Sequence, residues 1–100
     1  MSYKHNNLMA MRENYWNDES ETTQTEKQFL RQILIEEGIF HKATLEDTKY
    51  FFFTLPSIII VKAYAVGFHH EAVKNMLHQH IQNHRSTLMQ RAELKIQYKL

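Results

Sequence analysis

Five of the seven histidines, His69, His70, His78, His80 and His84, fall within a sixteen-residue stretch, the densest grouping of chemically versatile side chains in the sequence. His80 and His84 stand four apart, so on a helix both imidazoles leave the same face, a spacing at which two ligands share a zinc ion. A closed zinc site needs two more ligands, and the chain has no cysteine to supply them. His84 also falls on an apolar stripe. The histidines therefore read as surface and interface groups, with no metal and no other cofactor expected.

The remaining chemistry is sparse. The two glycines, Gly38 and Gly67, are twenty-nine residues apart and cannot build a phosphate-cradling loop. The four serines (Ser2, Ser20, Ser57, Ser86) have no nucleophile elbow or local triad around them. The carboxylate pairs Glu36-Glu37 and Glu46-Asp47 lie near helix ends, where they cap and solvate. The expectation is a protein that binds rather than catalyses.

One constellation points to a nucleic acid. Ala63 lies four residues before Gly67, and Val73 six residues after it. A helix corner needs a small residue where the second helix crosses, glycine for positive φ in the turn, and a branched apolar residue facing back into the crossing. Residues 59–77 thus resemble the generic helix-turn-helix pattern of bacterial and phage regulators. The resemblance implies a DNA-binding transcriptional regulator in which His69, His70, Lys74, Asn75 and His78 face the major groove, Asn75 suited to adenine and Lys74 to guanine or phosphate. Lys62, at a position usually apolar in that pattern, and Glu71, which would face phosphates, depart from it. Residues 51–56 followed by two helices also resemble a ribbon-helix-helix arrangement, although the strand would offer aromatics where polar readers belong.

A second set of residues points to a protein. Tyr15, Trp16, Tyr50 and Phe52 are the kind of aromatics that anchor interfaces. Residues 1–50 carry six Lys/Arg against nine Asp/Glu, whereas residues 69–100 carry five against two. The acidic half suits a basic partner and the basic third an anionic one. The alternative function is a protein-binding regulator or inhibitor, of the kind phages and mobile elements encode, that seizes a host protein through its acidic arm or aromatic surface.

These groups must be held by helices. The hundred-residue chain is 43% hydrophobic with only two Gly and one Pro, too few turn residues for a β-sandwich or barrel. Residues 1–22 read as a flexible N-terminal arm, and 23–100 as a single helical domain. Thr25 with Gln28 has capping-box spacing and opens a helix over about 26–37, with Gly38 as its left-handed terminator. Thr44 with Asp47 repeats the box and opens a segment to Thr54. Its Tyr50-Phe51-Phe52-Phe53 run suits helix or strand equally. Pro56 closes it, and Ser57 caps an apolar helix to Val66. A long helix follows over about 69–92, with Val73, Leu77, Ile81, Leu88 and Ala92 as its stripe. Residues 94–100 alternate apolar and polar, a short strand pattern.

The expected fold is all-α, a compact bundle of four to five helices with a helix-turn-helix-like pair and a possible C-terminal strand. The long helix carries more apolar stripe than so small a core covers, which suggests a homodimer through it. The lack of cysteine and of an apolar leader run suits a cytoplasmic protein. Residues 50–68 approach membrane-spanning length, yet Lys62 and Pro56-Ser57 interrupt them, so a buried helical hairpin is expected and no membrane.

Overall fold

Thr44 Oγ accepts the Asp47 N–H at 3.1 Å while the Asp47 carboxylate accepts the Thr44 N–H at 2.9 Å, the reciprocal capping box expected from their spacing. It opens the third of six helices in a computed structural model that describes the backbone of residues 2–40 and 42–98 and the side chains of residues 8–40 and 42–92. The helices are α1 (Ser2–Asn17), α2 (Glu21–Glu36), α3 (Leu45–Thr54), α4 (Ser57–Val66), α5 (Glu71–Asn83) and α6 (Arg85–Tyr98). The fold is all-α, with no strand among the described residues.

The centre is built where expected. Phe51 and Phe52 of α3, Ile60 of α4, Leu30 and Leu34 of α2, and Val73, Leu77 and Ile81 of α5 are almost wholly enclosed. The aromatic run at 50–53 is helical because only in a helix do Phe51 and Phe52 both reach the core while Tyr50 and Phe53 lie at its edge. Pro56, rather than Ser57, occupies the N-cap of α4, with no side-chain cap. Across Leu55 and Pro56 the chain bends by 110°. No single helix among the described residues is long and apolar enough to cross a membrane.

Two helix ends follow from local rules. Gly38 adopts φ +71 after α2, its N–H donating to the Ile35 carbonyl and the Ile39 N–H to that of Leu34. That is a Schellman closure, with Ile39 buried beyond it. Gly67 ends α4 at φ +91, ψ 152.

Other expectations are corrected. The helix read over about 26–37 begins at Glu21, because Ser20 caps it by accepting the Thr23 N–H at 3.3 Å. Residues 2–17 of the expected flexible arm form α1, which has little amphipathic pattern of its own. Tertiary contacts hold it: Arg12 donates to the Leu55 carbonyl at 2.7 Å, and the Tyr64 hydroxyl donates to that of Met11. The helix expected over 69–92 is broken at His84, whose backbone N–H donates to His80 and Ile81. Arg85 there donates to the Glu37 carbonyl at 2.9 Å and its carboxylate at 2.5 Å, pulling the start of α6 onto the end of α2. Residues 94–98 belong to α6 rather than to a strand. Residues 99–100 lie outside the described residues. Of the stripe of the broken helix, Val73, Leu77, Ile81 and Leu88 are buried within one chain and Ala92 is partly buried.

Candidate binding surfaces

The short apolar helix α4 has two apolar sides and only one core. Ile59, Ile60 and Ala63 face inward. Ile58 and Val61 are 66% and 52% exposed, and with Ala65 they sit three, four and seven residues apart, so they form one outward ridge. Leu8 of α1 and Met76 of α5 flank this ridge, and together they line an open groove of about 770 Å³. Among the described residues Lys62 is the one charged residue lining it.

A second concavity opens at the other side of α4, where the ends of α1 and α4 meet the start of α2. It measures about 420 Å³. Tyr15 and Tyr64 form adjacent walls, ring centroids 6.1 Å apart and planes inclined at 43°. The Tyr15 hydroxyl donates to Glu26 Oε1 at 2.7 Å, and the Phe68 backbone N–H donates to Glu26 Oε2 at 3.1 Å. Asp18, also on the lining, accepts from the Ser20 N–H at 2.9 Å and the Thr23 hydroxyl at 2.9 Å. These bonds to its ionised form hold the Asp18 carboxyl below the usual range. Burial, then the Glu26 carboxylate, push the Tyr15 hydroxyl well above the ordinary tyrosine value. Burial and Asp18 raise that of Tyr64.

The five residues expected to face DNA lie on or just before α5, in unequal states. Asn75 is exposed. The His69 ring packs 4.2 Å from that of Phe29, and His70 caps α5 by accepting the Ala72 N–H at 3.1 Å. Lys74 is 4.0 Å from the Glu71 carboxylate, and His78 donates to Glu37 at 2.9 Å. Lys62 and Val66 point outward, not into the α4–α5 crossing.

Of the four aromatics expected to meet a protein partner, Tyr15, Trp16 and Tyr50 are partly buried. Phe52 is fully buried, so it builds the core and cannot dock a partner. Tyr15 stacks on it at 5.1 Å, and Trp16 lies 5.5 Å from it. Tyr50 is covered by the Arg91 guanidinium at 4.4 Å.

The ring centroids of His80 and His84 lie 4.4 Å apart. His84 Nδ1 donates to the His80 carbonyl at 3.0 Å, and His80 Nε2 is buried with no hydrogen-bond partner among the described residues. No group of three or more potential metal ligands occurs among the described residues. Sequence reasoning passed over the outward face of α4 and the Glu26 carboxylate. The signal for the first was present, because a ten-residue helix that is apolar all round exceeds what one core contact can cover. No family model matches this sequence, and neither a curated protein nor a solved structure matches it.

Proposed function

We propose that this chain is a non-enzymatic regulatory protein that binds another protein, and that the groove along α4 receives an amphipathic helix bearing an acidic residue. The observation that carries this reading is the exposed ridge of Ile58, Val61 and Ala65 between Leu8 and Met76. Contiguous exposed apolar surface on a small domain marks an interaction site, and covering Ile58 and Val61 is worth about 1–2 kcal/mol each. A helix laid in the groove meets the ridge with its own i, i+3 and i+7 side chains. Charge favours an acidic one, since Lys62 lines the groove and the positive end of α4 has no side-chain cap.

The test is selection from a displayed library of random helical peptides, with counter-selection on the Val61→Glu variant. Enriched peptides are expected to be amphipathic with Asp or Glu beside the apolar face, and to lose binding to Val61→Glu. Enrichment of basic or extended peptides overturns the proposal. So does a doubled mass by light scattering that Val61→Glu abolishes, because the groove is then filled by a second copy.

A second reading, DNA recognition by α5, is favoured by one observation. Ala63 and Val73 are buried on either side of Gly67 with its positive φ, the arrangement a helix-turn-helix corner needs. Against it stand the pairing of Lys74 and His78 with Glu71 and Glu37. Fluorescence anisotropy with mixed-sequence duplex DNA at low salt tests it. Binding that falls steeply with added salt and weakens in Lys74→Ala supports DNA recognition. No binding at low salt removes it.

A further inference from the structure

We infer that the cavity between α1, α2 and α4 is a binding site for an organic cation, an alkylammonium or guanidinium group held against the Tyr15 and Tyr64 rings beside the Glu26 and Asp18 carboxylates. The two rings meet at 43° with centroids 6.1 Å apart, so a cation seated in the angle lies within cation–π range of both. Glu26 spends one lone pair on each oxygen, on the Tyr15 hydroxyl and the Phe68 N–H, and each oxygen keeps a second acceptor site. These two bonds fix the carboxylate, so its charge is placed before any ligand arrives.

Among the described residues no basic side chain lines the cavity, and none lies within ion-pair distance of Glu26 or Asp18. The nearby Lys27 is engaged with Trp16, its Nζ donating to the Trp16 carbonyl at 2.5 Å and lying 4.6 Å from the ring centroid, and its charge is the least of the influences on Asp18. The opening is kept by Gly67, where a Cβ would come within 3.3 Å of Glu26 Oε2. A polar groove sharing Thr22 and Glu26 continues past Glu21 towards His69 and extends the negative field. The cavity and the α4 groove have no lining residue in common, so the inference stands whether or not the groove docks a helix.

The cation has two possible sources, a lysine or arginine side chain of a partner or a free polyamine. The experiment is an NMR titration of the full chain with the blocked amino acids N-acetyl-arginine methylamide and N-acetyl-lysine methylamide, with spermidine, and with sodium chloride at matched ionic strength. Saturable shifts of the Gly67 and Phe68 amides are expected with at least one organic cation and not with sodium chloride. Response to the blocked amino acids assigns a partner side chain, and response to spermidine alone assigns a polyamine. Tyr64→Leu, at an exposed position, is expected to weaken binding about tenfold while Tyr64→Phe keeps it. Glu26→Gln is expected to weaken it at least as much. Shifts reproduced by sodium chloride, unchanged affinity in Tyr64→Leu, or no response to any of the cations overturns the inference.

Discussion

The Glu26 carboxylate accepts the backbone N–H of Phe68, forty-two residues along the chain, and so ties α2 to the turn between α4 and α5. The same carboxylate accepts the Tyr15 hydroxyl, which adds α1 to the junction. Three segments meet at one charge, and Phe68 is fully enclosed beside it. A hydrogen bond to an ionised acceptor is worth more than a neutral one, and an orphaned partner costs its desolvation.

Tyr15→Phe keeps the stack on Phe52 and removes only the donor, so a loss of about 1–2 kcal/mol in urea unfolding is expected. The pH dependence follows from the raised hydroxyl. The folded chain holds Tyr15 protonated where the unfolded chain ionises, so its contribution is complete below pH 10 and declines as pH rises past it. Wild type is therefore expected to lose stability more steeply than Tyr15→Phe above pH 10. Parallel curves would remove Tyr15 from the account.

How much of this was legible beforehand differs by element. The capping box at Thr44 and Asp47, the glycine terminators and Pro56 act within a few residues, and sequence places them correctly. α1 was not legible, since what makes it a helix is Leu55 and Tyr64, more than forty residues away. The break at His84 was hidden for the same reason, because its cause is Arg85 reaching Glu37 across the fold. For the surfaces, sequence marked Tyr15 but missed its partner Glu26, a contact that no periodicity encodes.

The two glycines are expected to respond differently. Gly38 has φ +71, and a Cβ added there would meet nothing within 4 Å. Gly38→Asn, which tolerates the left-handed region, is therefore expected to cost well under about 1 kcal/mol. Gly67 at φ +91, ψ 152 lies near a region that only glycine visits freely, and a Cβ there crowds Glu26. Gly67→Asn is expected to cost about 2–3 kcal/mol by thermal unfolding. Equal costs would mean that the turn relaxes.

His80 makes stability depend on acid. Burial, then the neighbouring His84, depress its pKa below 6.5, so the folded chain keeps it neutral while the unfolded chain protonates. Its contribution is complete above pH 6.5 and is lost as pH falls through 6.5 towards the depressed folded value. His80→Met is expected to flatten the fall in unfolding midpoint over that window. An unchanged slope would shift the acid sensitivity to other groups.

Adjacent residues of α4 are expected to behave in opposite ways, and that contrast separates surface from core. Ile60 is fully buried, so Ile60→Ala leaves a cavity and is expected to cost about 2–5 kcal/mol. Val61 is half exposed on the outer ridge, so Val61→Glu is expected to change stability by no more than about 0.5 kcal/mol in chemical unfolding. Ile58→Glu, farther out still, is expected to match it. If the ridge were held by the fold's own packing, both glutamates would destabilise the chain. If it waits for a partner, they leave the free protein intact and abolish capture of an acidic amphipathic helix. Unfolding curves and peptide affinity measured on the same two variants decide between these cases, because only the second loses binding without losing stability.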